Sequence, residues 1–450
     1  MRPTSPVPLA LAALLMALLL GGCGGGSGGR EAGSSRPLVD WPLFGRVPER
    51  THYLPAEGRG LDPPLKQAWS VNTHGLIEFP PAVADGVAYL VNKFGNGKAV
   101  RLSDRKVLWE VKVHPNHGKP TDVTAPVYYA GRVFGAYLGG TVVAGDATTG
   151  KLDWKRELHA HLESSPLAVG ETLYLGTDTT DVVALRTSDG GTRWRFDSPA
   201  AIKASPSYHD GRLYVADYEG SMFALDAAQG RPLWRTNTTK APPFGSGGFF
   251  SSPAVGFGRV YAARDDGTVF ALDEKTGRVD WSFATGGPVY GSPAIAHVPG
   301  TPPSVYIGSE DGRLYALDAR TGKPRWTYRV GGPIPGTAVV IGHTVYTSSF
   351  KTIETTGIDA RTGKKTFQIH QAGYTPMVSD GRRLFVIGYF SLIGLEPTNE
   401  PGSTRSSRFS RAVRPPASWR RATASGRASS RVSAARRRSS ARSSRSKRGT

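Results

Sequence analysis

At 450 residues the chain is long enough for a large buried core, and its 56 Gly and 34 Pro against 4 Met, with 17 Tyr and 17 Phe, favour short strands and tight turns over long helices. The single cysteine excludes an internal disulfide framework. The formal charge of +20 sits mostly at one end: residues 401–450 hold fourteen Arg and one Lys with no Asp or Glu, leaving the first 400 residues at +5, so the basicity describes a terminus and not a folded body.

The chain opens with Arg2, an apolar run from Leu9 to Leu20 that is too short to cross a bilayer, and then Leu20-Gly21-Gly22-Cys23. This is the pattern of an export signal. Leu20-Gly21-Gly22-Cys23 resembles a bacterial lipobox, in which the peptide is cut before the cysteine and the thiol receives diacylglycerol. Residues 1–22 are therefore read as a lipoprotein signal peptide and Cys23 as the lipidation site. Acyl chains contributing about 0.8 kcal/mol per buried CH₂ would hold such a protein on a membrane. Residues 23–40, rich in Gly and Ser, read as a flexible tether. The body is expected outside the cytoplasm, anchored to the cell membrane or to the outer membrane in a cell that has one.

Residues 41–397 carry a repeat. Trp109, Trp154, Trp194, Trp234, Trp281 and Trp326 follow one another at intervals of 45, 40, 40, 47 and 45 residues, with Trp69 40 residues before the first and Phe367 41 after the last. Each ends the same phrase, clearest in Ala271-Leu272-Asp273-Glu274-Lys275-Thr276-Gly277-Arg278-Val279-Asp280-Trp281. Upstream lies a Ser-Pro or related pair, as in Ser252-Pro253-Ala254-Val255, and then a strand such as Arg259-Val260-Tyr261-Ala262. Each unit thus predicts four short strands, the last two joined through a Thr-Gly turn whose glycine can adopt the left-handed conformation and whose Asp can accept turn amides. A lone unit cannot bury both apolar faces, so the units must stack into a ring.

Inner strands are predicted near Pro81, Pro126, Pro166, Pro206, Pro253, Pro293, Thr337 and Pro376, which makes eight blades. The eighth lacks an outer strand after Glu396, and Trp69 marks an outer strand with no blade before it. The expected fold is an all-β, eight-bladed β-propeller of four-stranded antiparallel blades, closed by a clasp of the two termini. Residues 398–450 form an Arg/Ser-rich stretch expected to be disordered. It is read either as a polybasic arm for anionic envelope polymers or as a non-native reading of the gene's end.

The Ala-Leu-Asp-x-x-Thr-Gly-x-x-x-Trp phrase resembles the pyrroloquinoline quinone (PQQ) repeat, found in quinoprotein alcohol dehydrogenases and in outer-membrane assembly lipoproteins of the BamB type. The resemblance runs from about Trp69 to Glu396, with departures at Arg101, Arg105, Arg186 and Phe367. It implies that Trp69, Trp109, Trp154, Trp194, Trp234, Trp281 and Trp326 dock between blades. It also poses two functions. In the dehydrogenases PQQ is held against a disulfide between adjacent cysteines and through Ca²⁺. This chain has no adjacent cysteines and no matching Asp/Glu set, and no GxSxG, Walker or HExxH motif offers another chemistry. No cofactor and no catalytic residue are expected. The reading is a monomeric, non-catalytic scaffold of the cell envelope that presents propeller loops to protein partners. The alternatives are a PQQ- or metal-dependent oxidoreductase and a small-ligand sensor. Nucleic acid is not an expected partner of an exported protein.

The connections from each outer strand to the next inner strand should ring one mouth of the channel. Three residues before a blade-initial Pro, this register places Glu78, Glu163, Lys203, Phe250 and Tyr290 as a mixed charged and aromatic binding rim. The same connections carry His74, His117, His161 and His370, imidazoles that could converge on a metal if the loops bring them together. The longest connection, Pro242 to Phe250, ends in Phe249-Phe250, read either as an exposed contact anchor or as a plug for the channel.

Overall fold

The computed structural model describes residues 38–55, 60–113, 122–238, 245–370 and 377–398. Cys23, the signal peptide, His117 and the Arg-rich stretch lie outside them, as do Pro242, Pro243 and Phe244. The described residues contain strands and turns and no helix.

Eight four-stranded antiparallel blades form, the seventh joined at its inner edge by a short parallel fifth strand, Tyr53–Leu54, with inner strands beginning at Ala82, Val127, Leu167, Ser207, Ala254, Ala294, Val339 and Val378, one or two residues after the positions read from the repeat. The fifth blade shows the pattern: Ala254–Gly256, Arg259–Ala263, Thr268–Asp273 and Val279–Ala284. Its inner strands are sandwiched between neighbouring blades, which is why they read as near-continuous Val, Tyr, Phe, Ala and Leu, while outer strands such as Thr192–Asp197 alternate between half-buried and exposed. The eighth blade is the clasp. Leu65–Asn72 pairs antiparallel with Ser391–Pro397, from Leu65 opposite Pro397 to Asn72 opposite Ser391, and supplies the missing outer strand.

The repeat phrase is an inter-blade joint. In all eight blades the outer strand carries a register shift where the apolar pair of its neighbour passes the Trp position, a bulge that re-aims the aromatic side chain. The indole N–H groups of Trp109, Trp154, Trp194, Trp234, Trp281 and Trp326 donate to carbonyls of Ala147, Thr187, Ala227, Glu274, Ala319 and Ala360 in the following blade, at 2.9–3.1 Å. Three of these carbonyls also accept the hydroxyl of a Tyr from the preceding blade: Tyr174 on Ala227, Tyr214 on Glu274 and Tyr261 on Ala319. Trp69 packs against Phe385 inside the clasp blade, ring centres 5.8 Å apart. Phe367, where the seventh blade departs from the phrase, keeps the packing role against Tyr346 without an N–H to donate.

The Asp of the phrase caps its own turn. Asp146, Asp273, Asp318 and Asp359 each accept two turn amides and a Thr hydroxyl, and together these bonds hold each carboxyl below its ordinary range, against desolvation that is the largest single effect at Asp318 and Asp359 and a smaller one at Asp146 and Asp273. Where Arg101 and Arg186 replace that Asp, an acid three residues on takes over. Asp104 accepts the Lys106 amide and Asp189 the Gly191 amide, each also bound by the Arg that displaced it.

A second turn position is strained. The residue before the third strand is left-handed in blades one to seven and is Gly in five of them, but in the third it is Thr180 at φ +77° and in the seventh Ile353 at φ +53°. Left-handed backbone costs a β-branched residue more than glycine's extra unfolded-state entropy. Thr180→Gly is therefore expected to stabilise the protein by about 0.5–1 kcal/mol in urea denaturation; a loss of stability would show that the Thr180 side chain contributes contacts that outweigh the strain.

Candidate functional site at the channel mouth

Two devices define the central channel. The first is a ring of hydroxyls from the Ser-Pro pairs. The oxygens of Ser165, Ser205, Ser252, Ser292 and Thr337 each accept the backbone N–H of Ala125, Ser165, Ser205, Ser252 and Ser292 in the preceding blade, at 2.9–3.2 Å. Small side chains are needed here because the inner strands crowd together. A hydroxyl satisfies an amide that would otherwise be buried without a partner.

The second is a strap, residues 39–54, which runs from the end of the Gly/Ser-rich stretch into the start of the propeller. It makes one circuit of the ring. Val39 donates to Asp380 of the eighth blade, and Trp41 exchanges two bonds with Val83 of the first. The carbonyls of Pro42, Pro48, Glu49, Thr51 and His52 then accept amides of Tyr128, Tyr208, Val255, Ile295 and Val340, in blades two, four, five, six and seven. The third blade is reached by Arg50, whose guanidinium donates to the carbonyls of Ser165, Pro166, Pro206 and Phe44 at 2.5–3.2 Å. Arg50 is fully buried, and desolvation lowers its pKa to about 9, which leaves it charged at neutral pH. Asp40 binds the turn amide of Asp85, so the strap enters at the turns between first and second strands, on the face opposite the outer-to-inner connections.

His52 lies beside Arg50 in the strap, edge-on to Phe44 at 4.8 Å, with Nε2 buried and unpartnered. Burial first, and the charge of Arg50 second, lower its pKa to about 3. The unfolded chain binds this proton near pH 6.5 and the folded chain does not, so stability is full above pH 6.5 and falls as pH drops toward 3, by about 1.4 kcal/mol per unit. Urea midpoints measured across this range should show that slope, and His52→Asn, which tolerates the left-handed φ of +51°, should remove it. An unchanged slope in the variant would assign the acid sensitivity elsewhere.

The other end is open. A cavity of about 550 Å³ lies there, with Phe44 of the strap and the hydroxyls of Ser165, Ser205, Ser252, Ser292 and Thr337 among its lining. Glu78, Glu163, Lys203, Phe250 and Tyr290, the five rim residues read from the register, all line it. They meet there because each is held at the same offset from an inner strand. Residues it could not find come from connections between second and third strands, Lys93, Leu138 and Phe350, and from the strap, Phe44. Asp122 joins them one residue off the register.

These groups neutralise one another. Lys93 bridges Glu78 at 2.7 Å and Asp122 at 3.0 Å, and Lys203 binds Glu163 at 3.0 Å. The Lys203 ammonium also lies 4.9 Å from the Tyr218 ring centre and 5.3 Å from that of Phe250. Desolvation raises the pKa of Glu78 against the opposing pull of Lys93, and the two carboxylates raise that of Lys93 against desolvation. Phe250 meets Tyr218 and Tyr290 edge to face, at 4.9 and 5.5 Å.

Of the two readings of the Phe249-Phe250 pair, the exposed contact anchor is contradicted. Neither ring stands at an exposed loop tip: Phe249 is fully buried in the inter-blade core, and Phe250 forms cavity wall. The opposite end of the channel is closed by the strap. The described histidines of the rim each face a separate carboxylate, His74 with Glu110, His161 with Asp178 and His370 with Glu354, at 3.4, 3.6 and 2.9 Å. Among the described residues no three His, Cys, Asp or Glu side chains come together as a metal set.

The fold recurs in known proteins. The superposition on BamB from Moraxella catarrhalis has a TM-score of 0.62 at 18% identity, covering 74% of this chain and 99% of that one. That on the quinohemoprotein alcohol dehydrogenase from Comamonas testosteroni has a TM-score of 0.65 at 15% identity, covering 83% of each. Both likenesses concern the fold. In sequence, the chain is 30% identical over 124 residues to outer membrane protein assembly factor BamB of Salmonella typhimurium, covering 26% of this chain and 31% of that protein. It is 31% identical over 125 residues to the dehydrogenase subunit of the quinone-dependent alcohol dehydrogenase of Komagataeibacter europaeus, covering 26% and 17%. The match thus spans less than a third of either relative's length. The profile described as outer membrane protein assembly factor BamB matches over residues 61–168, 138–302 and 178–389, nearly the whole ring from the clasp to the eighth blade. The chain belongs to that family of PQQ-repeat propellers.

Proposed function

We propose that the protein is a non-catalytic, lipid-anchored scaffold of the cell envelope, held outside the cytoplasm through Cys23 and presenting the open face of its propeller to protein partners. The observation that carries this reading is the pairing inside the cavity. Glu78, Asp122 and Glu163 are each bound by a lysine within 3.0 Å, so the cavity offers a preorganised interaction surface in place of a bare carboxylate set for a hard cation. The donor set does not fit PQQ held through Ca²⁺, and the only cysteine, Cys23, lies far upstream of the ring. Family membership and the likeness to BamB proteins support the same reading.

The similarity to quinone-dependent alcohol dehydrogenase subunits favours a second reading, a PQQ-dependent oxidoreductase. One experiment separates the two. Titration of the purified protein with PQQ and Ca²⁺, followed by quinone absorbance and dye reduction with alcohols, is expected to give neither stoichiometric binding nor turnover. Photo-crosslinking from position 290 in intact cells is expected to capture an envelope protein. Turnover would establish the second reading and overturn the first.

A further inference from the structure

We infer that the open mouth receives a basic segment of a partner polypeptide, whose cationic side chains seat on Asp122 and Glu163 while its apolar side chains lie on Phe250 and Tyr290. This deepens the scaffold reading and rests on it.

The charge order in the cavity carries the inference. Two of the three carboxylates are more exposed than the lysines that bind them: the side chains of Asp122 and Glu163 are 55% and 40% exposed against 16% and 23% for Lys93 and Lys203, while Glu78 is as buried as Lys93. An entering cation therefore finds accessible carboxylate, while the ammonium side chains are largely covered. The acids also outnumber the lysines, since Lys93 is shared between Glu78 and Asp122. The lysines bind Oδ1 of Asp122 and Oε1 of Glu163, so the second oxygen of each carboxylate is left to accept from an incoming donor.

The other arc supplies the apolar half. Phe250 is braced edge to face by Tyr218 and Tyr290, and Tyr290 is 42% exposed, one of the large apolar side chains that the fold leaves at the surface. Part-exposed aromatics and accessible carboxylate oxygens on one cavity lining match the long apolar stem and charged head of Arg or Lys. The strap settles the size of the occupant. With Phe44 on the cavity lining and the channel's far end closed, about 550 Å³ holds a few side chains and does not let a chain thread through.

The test uses the full chain and two peptides, acetyl-Arg-Phe-Arg-Phe-amide and its charge-reversed counterpart acetyl-Glu-Phe-Glu-Phe-amide, by calorimetric titration at low and high salt. The arginine peptide is expected to bind, to weaken as salt rises, and to lose about tenfold or more in affinity in the D122N/E163Q double variant. Because that variant leaves Lys203 without its acid, Tyr290→Ala, which removes no charge, serves as the second variant and is also expected to weaken binding. Tighter binding of the glutamate peptide, equal binding of both, or no binding of either would overturn the inference. A crosslinked envelope partner at position 290 together with failed arginine-peptide binding would leave the scaffold reading standing and sink only this one.

Discussion

Replacing Arg50 by alanine is expected to destabilise the propeller by about 3 kcal/mol, read as a shift of the urea midpoint at constant slope. The side chain is fully buried, and its guanidinium satisfies carbonyls from the strap, the third blade and the fourth at once. Alanine leaves those oxygens without donors in a place that water reaches poorly, and each buried orphan costs about 1–3 kcal/mol before any relaxation. Lysine keeps the charge but has no planar fork to spread over four acceptors, so Arg50→Lys should fall between alanine and the native residue. The strap itself should loosen, seen as faster protease cleavage within residues 38–55 of the alanine variant under native conditions. A stability within about 0.5 kcal/mol of the native protein would mean that water replaces the guanidinium and that the strap is passenger to the ring.

The second large effect lies at the blade seams. Gly277 has φ +73°, and a Cβ placed on it would lie 2.6 Å from the Trp234 indole of the preceding blade, closer than real contacts allow. Gly170 has φ +56° and nothing within 4 Å of the same atom. Gly170→Ala therefore measures the backbone alone and should cost about 1 kcal/mol, while Gly277→Ala adds the displacement of a packed indole and should cost about 3 kcal/mol. If the difference arises from Trp234, it should shrink in a Trp234→Ala background, where the added methyl meets space. Equal costs for the two glycines would mean that the indole moves aside freely and that the Trp seam is softer than its geometry implies.

The same seam explains why so much of the fold was legible in the sequence. The Thr-Gly turn and the Trp recur because one glycine answers two demands, a left-handed turn in its own blade and room for the neighbour's indole. Departures from the phrase were equally readable once the turn was seen, since Asp104 and Asp189 take up the capping work that Arg101 and Arg186 abandon. The clasp followed from counting: an unmatched outer strand at Trp69 and a blade lacking one after Glu396 have a single closed solution, and Leu65–Asn72 pairs with Ser391–Pro397 accordingly.

Local pattern therefore determined the number of blades, their order, the closure of the ring and five residues of the mouth, because each of these repeats at a fixed offset from a strand that recurs every 40 to 47 residues. Only the tertiary structure decided what fills and closes the channel. Residues 39–54 carry no strand periodicity, and their partners lie in every blade, as far from Arg50 in sequence as Pro206 and from His52 as Val340. Their conformation is set by edge amides and carbonyls that exist only after the ring has closed. The hydroxyl ring has the same origin: a Ser before Pro was visible in the sequence, but its role as acceptor for the preceding blade's amide depends on two strands some 40 residues apart lying side by side. The ion pairs of the mouth obey the same rule. Lys203 and Glu163 were each placed by register, yet that they meet at 3.0 Å, with the Glu163 side chain the more exposed of the two, is decided by how neighbouring blades pack.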